Sequence, residues 1–160
     1  MIDWSEMDEP RVVELPSYHV AKLRYQGPAP PHPDFFEHWQ RFHSRVDLLQ
    51  LKSQVEDVAA VGYAPPGPAG GQYLLYDACI PVPPDLKPEQ LSGLDLGDIP
   101  GGRYVLCAGP ITELPLLLQA ARRYAMSHGI AIERGRIEFY LPETDDADVT
   151  VVDVGYRIHD

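Results

Sequence analysis

Arg136-Ile137-Glu138-Phe139-Tyr140-Leu141-Pro142 is the stretch that decides how this chain is read. It predicts a strand. Apolar residues flank one carboxylate, and a proline, with no N–H to give to a ladder, stops it. Successive strand side chains point to opposite faces, so Glu138 and Tyr140 share one face and Ile137, Phe139 and Leu141 the other. With the second face as core, an acid and a phenol stand together on the first. Burying an unpaired carboxylate is costly, so the plainest reading is a half-exposed strand with Glu138 in water. The rest of the chain argues for another.

Working outward, each half of the sequence has the same order of signals. Arg11 to Leu15 and Ser17 to Gln26 are rich in β-formers, with Pro16 between them and Gly27-Pro28 as a stop. Asp34, with Glu37 three residues on, predicts a capped helix start, and Phe35, Trp39, Phe42, Val46 and Leu49 follow at helical spacing. Val58 to Tyr63 and Tyr73 to Val82 are the next predicted strands, each ended by prolines. After a polar linker, Leu94 to Leu96 and Arg103 to Ala108 read as strands, and Gly109-Pro110 ends the second. Thr112 is placed to cap a second helix carrying Leu114, Leu117, Leu118, Ala121, Tyr124 and Ala125; Pro115 is tolerated in its first turn and Gly129 stops it. Gly135 to Leu141 and Val149 to Ile158 complete the set.

The halves match in detail. Tyr25-Gln26-Gly27-Pro28 answers Cys107-Ala108-Gly109-Pro110, Tyr63-Ala64-Pro65 answers Tyr140-Leu141-Pro142, and Asp77 answers Asp153 inside its strand. A tandem duplication explains this. The expectation is an α+β domain over residues 1–160, with an arm (1–10), a first unit (11–84), a linker (85–92) and a second unit (93–160). The two strand-helix-strand-strand units would be related by pseudo-two-fold symmetry, with antiparallel sheets, two main helices and a central cleft at the seam.

Composition narrows the partners. Among 160 residues, 24 acidic against 13 basic side chains give a formal charge of -11, shared by both halves. No basic stripe is left to neutralise phosphates, so nucleic acid and anionic membranes are not expected as direct partners. Cys79 and Cys107 sit in apolar runs and read as buried free thiols. No apolar run approaches a membrane span and the N-terminal residues lack a leader pattern, so the expected compartment is the cytoplasm. His32, His38 and His43 fall on different faces of the first helix and read as solvated, and Asp145 to Asp148 lacks the spaced ligands of a calcium loop. No metal or other cofactor is expected. Asp77 and Asp153, at equivalent positions, suggest a shared structural hydrogen bond rather than duplicated catalysis.

The whole order resembles the GyrI-like, or AraC-type effector-binding, domain family over roughly residues 11 to 158. The resemblance rests on Glu14-Leu15-Pro16 with Val20 to Pro28, Trp39, Tyr76-Asp77-Ala78-Cys79, Ile99-Pro100-Gly101-Gly102-Arg103-Tyr104, Gly109-Pro110, Glu138-x-Tyr140, and Asp153-Val154-Gly155-Tyr156-Arg157-Ile158. It implies a paired strand-helix-strand-strand fold with a multidrug-binding pocket, its carboxylate at Glu138, its tyrosine at Tyr140 and its helix tryptophan at Trp39. Two departures bear on ligand preference: Gly62 to Gly71 holds prolines and glycines where relatives often carry acids, and Ala108 stands where many have His. Without a helix-turn-helix segment, the chain resembles the stand-alone members, associated with drug sequestration, gyrase inhibition or hydrolysis of cyclopropane-bearing DNA alkylators.

Three functions are consistent with these residues. In the first, a carboxylate at the base of an aromatic cleft attracts a lipophilic cation or planar aromatic, with Trp39, Tyr63, Tyr140 and Phe36 as flat faces. On spacing alone Trp39 and Tyr63 read more readily as core than as site, Tyr63 being raised only by its relation to Tyr140. In the second, Glu138 acts as acid or base on a strained substrate with Tyr140 as hydrogen-bond donor; no nucleophile elbow, phosphate loop or ordered triad accompanies them. In the third, the acidic domain occupies a basic surface of a protein such as DNA gyrase or a regulator.

Overall fold

The structure, a computed structural model, describes residues 9–28, 32–65, 73–142 and 150–159. Most of the expected N-terminal arm, most of the Gly62–Gly71 loop and the Asp145–Asp148 loop lie outside the described residues. In chain order the elements are β1 (Arg11–Leu15), β2 (Tyr18–Pro28), α1 (Pro33–Leu48), β3 (Ala60–Ala64), β4 (Tyr73–Pro81), β5 (Asp95–Ile99), β6 (Gly102–Pro110), α2 (Leu114–Ser127), β7 (Arg136–Tyr140) and β8 (Val151–Arg157). Short 3-10 turns at Pro88–Gln90 and Ile111–Glu113 lie in the linker and before α2.

Both helix starts differ from expectation. His32, not Asp34, is the N-cap of α1: its Nδ1 accepts the Asp34 backbone N–H at 3.1 Å. Pro33 fixes φ at the first helical position and starts the helix two residues earlier. Thr112 lies in the 3-10 turn, and Glu113 precedes α2 without a side-chain cap. Pro115 does fall in the first turn, and Gly129, at φ +65°, ends α2 in the left-handed conformation that favours glycine.

The strands form one curled antiparallel sheet in the order β1-β6-β8-β7-β3-β4-β2-β5, so the fold is α+β. The expected plural sheets are thus continuous. β3 from the first half bonds directly to β7 from the second, with Gly62 opposite Glu138, and the halves exchange edge strands, β1 pairing with β6 and β5 with β2.

Both helices cover one face. On it, α1 lays Phe42 and Val46 on Ala21, Ala78 and Ile80. α2 lays Leu117, Leu118, Ala121 and Ala125 on Val105, Cys107, Val152 and Val154. The other face gathers Val20, Val61, Cys79, Ile99, Tyr104, Leu106, Ile137 and Phe139. The alternation expected for β7 therefore holds, but both of its faces are buried. Because α1 sits over β2 and β4 while α2 sits over β6 and β8, the strands β3 and β7 form the floor of the gap between the helices.

Candidate functional site

The strand period of two puts Arg136, Glu138 and Tyr140 on the helix-covered face of β7. Glu138 is not in water: it is 1% exposed. What makes room for it is Gly62, its partner on β3. A Cβ there would lie 1.8 Å from Tyr76 Oη and 2.7 Å from Glu138 Oε1, so the missing side chain is the space these two groups fill.

Tyr76 reaches across from β4 and donates its O–H to Glu138 Oε1 at 2.7 Å; Tyr140 donates to the same oxygen at 2.9 Å. Burial, then the charge of Glu138, pushes both phenols above the usual tyrosine range, so they stay protonated and act as donors. The second oxygen is different. Glu138 Oε2 lies 3.2 Å from Arg136 Nε, but the pair is poorly aligned, and both buried atoms lack a hydrogen-bond partner. One oxygen is held by two donors; the other has only a nearby charge.

Aromatic rings enclose the acid. Trp39 of α1 meets Tyr140 edge-on at 5.2 Å between centroids and Tyr76 at 5.9 Å, and Phe35 meets Tyr76 at 5.0 Å. Trp39 and Tyr140 are half-buried and make the outer wall, while Tyr76 is wholly buried. The wall closes on the acid. Two open cavities lie elsewhere along α1: one of about 710 Å³ lined by Leu23, Arg41, Arg45 and Leu48, and one of about 360 Å³ lined by Arg24, Tyr25, Asp34 and His38.

Of the residues singled out from sequence, Glu138, Tyr140 and Trp39 come together. Tyr63 does not join them: it pairs with Ile137 and packs on the opposite face of the sheet. Phe36 is 52% exposed and touches Phe35 rather than the acid. Sequence reasoning missed Tyr76, Phe35, Gly62 and Arg136 as members of the cluster. Arg136 was within reach of the period-two argument, standing two residues before Glu138. Tyr76 was not, because only the register of β4 on β3 and β3 on β7 brings it there.

Asp77 and Asp153 are each held in ion pairs away from this cluster. Asp77, 2% exposed, takes Arg24 at two points, 2.9 and 3.1 Å, from the directly opposed position of β2. Asp153 is held by Arg11 of β1. Each aspartate thus has its own arginine rather than one shared bond. His38 corrects the expectation of solvated histidines: it is 6% exposed, packs on Tyr25, and burial lowers its pKa. Its place on the α1 stripe, between Phe35 and Phe42, turns it inward. His43 does remain at the surface, stacked on Trp39. Among the described residues no group of His, Cys, Asp or Glu is arranged to hold a metal, and no helix is long and apolar enough to cross a membrane.

A family model described as GyrI-like small molecule binding domain matches residues 8–158. Among solved structures, the chain is similar to SAV2435 bound to tetraphenylphosphonium, with TM-score 0.70 and 12% identity over 95% of this chain and 94% of that one. It is similar to the C-terminal domain of EcmrR, with TM-score 0.70 and 12% identity over 94% and 97% of the two chains. A hydrolase from Listeria innocua is similar with TM-score 0.63 and 12% identity over 94% and 92%. No curated protein matches the sequence. At these identities the structural likeness concerns the fold.

Proposed function

The chain belongs to the GyrI-like small molecule binding domain family, and on that premise we propose that it binds flat, hydrophobic, cationic molecules against Glu138, between Trp39, Tyr140 and Tyr76. One observation carries this reading. A carboxylate buried to 1% exposure spends one oxygen on two phenol donors and keeps the other, Oε2, without a hydrogen bond, behind a wall of aromatic rings. A negative charge in a poorly screened site and the faces of Trp39 and Tyr140 attract a lipophilic cation by Coulomb and cation–π terms together. Tetraphenylphosphonium, bound in a relative of the same fold, shares the charge and aromatic character of such a ligand but is tetrahedral rather than flat. Since Trp39 and Tyr140 form the outer wall, the ligand gains the acid by displacing the Trp39 ring. The role is binding and sequestration, in the cytoplasm.

The test is a fluorescence titration with a cationic dye such as rhodamine 6G. Glu138→Gln is expected to weaken binding at least about tenfold, on the order of 1.4 kcal/mol. An affinity equal to wild type would overturn the assignment.

The arrangement of the phenols favours a second reading. Two fixed O–H donors on Oε1 leave Oε2 as the oxygen able to exchange a proton with a bound molecule, as an acid or base acting on a strained cyclopropane alkylator would require. Product formation followed by mass spectrometry separates turnover from binding. The net charge of -11 supports contact with a basic protein surface, such as that of a gyrase, and a supercoiling assay decides it. The tandem origin of units 11–84 and 93–160 is likewise proposed. Its support is the strand order, in which matching strands stand at equal distances from the β3–β7 seam.

A further inference from the structure

We propose that Arg136 is a resident counter-cation of the ligand site, occupying the open side of Glu138 until a cationic ligand displaces it. The inference deepens the reading of the Glu138 cluster as a ligand site and rests on it.

Two arginine–carboxylate pairs in this chain differ in geometry. Arginine usually meets a carboxylate through two parallel N–H bonds. Arg24 and Asp77 do so at 2.9 and 3.1 Å, in a pair that locks β2 to β4. Arg136 brings Nε to 3.2 Å from Glu138 Oε2 but misses hydrogen-bond alignment, so that Nε and Oε2 are both buried without a bond. A buried donor and acceptor left unmade are each destabilising. Such a pair holds charge in place without gaining the bonds that would make it permanent.

Position adds to this. Oε1 is already taken by Tyr76 and Tyr140, so the remaining lone pairs of the acid are those on Oε2, where Arg136 stands. A cationic ligand and the guanidinium thus compete for one oxygen. The Arg136 side chain keeps 27% of its surface exposed against 1% for Glu138, so the guanidinium can swing into water while the acid stays. Like charges a few ångströms apart in a poorly screened site repel, so binding of a cation is coupled to that outward swing. A neutral aromatic molecule meets no such repulsion. Arg136 therefore sets how strongly the site discriminates between cationic and neutral ligands.

The test compares tetraphenylphosphonium with neutral triphenylphosphine oxide by isothermal titration calorimetry. Arg136→Gln should bind the cation at least about tenfold tighter than wild type does, and the neutral probe within about threefold, since tenfold corresponds to about 1.4 kcal/mol. Arg136→Lys, which keeps the charge, should stay within about threefold for both probes. Unchanged or weaker cation binding by Arg136→Gln, or equal tightening for both probes, would overturn the proposal. A second measurement uses the unaltered protein: hydrogen exchange of the Arg136 Nε–H, followed by NMR, should quicken on saturation with tetraphenylphosphonium and not with the oxide. Exchange that stays slow with the cation bound is equally fatal. Glu138→Gln separates the two levels of argument. If it leaves cation affinity unchanged, the ligand site itself is misassigned; if it weakens the cation while Arg136→Gln does not tighten it, only the counter-cation fails.

Discussion

Removing a single oxygen from the core tests whether the phenols hold Glu138 as an ion. Tyr76 is wholly buried and donates at 2.7 Å to Glu138 Oε1, leaving Tyr140 as the other donor to that oxygen at 2.9 Å. Tyr76→Phe keeps the ring, with its edge-on contacts to Phe35 and Trp39, and deletes only the hydroxyl. A hydrogen bond to a charged group contributes about 1.5–3 kcal/mol, so the expected loss is about 2 kcal/mol. For a chain of this size that lowers Tm by about 4–8 °C. The assay is urea unfolding of wild type, Tyr76→Phe, Glu138→Gln and the double variant as a cycle. In the Glu138→Gln background the acceptor is neutral, and the same deletion should cost only about 1 kcal/mol. The difference, about 1 kcal/mol, is the part owed to charge. If Tyr76→Phe costs under about 0.5 kcal/mol, or costs the same in both backgrounds, the carboxylate is not held as an ion by the phenols.

The remaining expectations concern the packing and titration of the same core. Gly62→Ala sets a methyl 1.8 Å from Tyr76 Oη and 2.7 Å from Glu138 Oε1; overpacking of this kind should cost about 1–3 kcal/mol in urea unfolding and weaken dye binding with it, and a variant as stable as wild type would contradict the close approach. The folded state keeps protons on Cys79, Tyr76 and Tyr140, all shifted up, first of all by burial. Since the unfolded chain releases those protons first, their contribution is complete below the ordinary thiol and phenol values and is lost as pH rises beyond about 9 to 10. A urea midpoint that stays level from pH 8 to 11 would refute this. His38 has the opposite sign. Its folded pKa is lowered by burial, so its contribution is complete above about pH 6.5 and declines as the unfolded chain takes up a proton below that. His38→Gln should flatten the fall in stability between pH 7 and 5, and an unchanged slope would assign it to other groups.

What the sequence determined by itself is local and periodic. The alternation along Arg136 to Tyr140 placed Glu138 beside Tyr140 and opposite Ile137 and Phe139, because strand side chains can only alternate. The stripe from Phe35 to Val46 turned one face of α1 to the sheet, and Pro115 and Gly129 bounded α2, because backbone sterics at proline and glycine act within a residue or two. Partnership across strands was decided only by the tertiary structure. Whether Glu138 met water or phenols depended on β3 pairing with β7 and β4 with β3, which brings Tyr76 from 62 residues away. The same pairing turned Tyr63 to the other face and made Gly62 the space into which the acid and Tyr76 both reach. Register and layer order arise from burial summed over the whole sheet, and no short stretch of chain contains that sum.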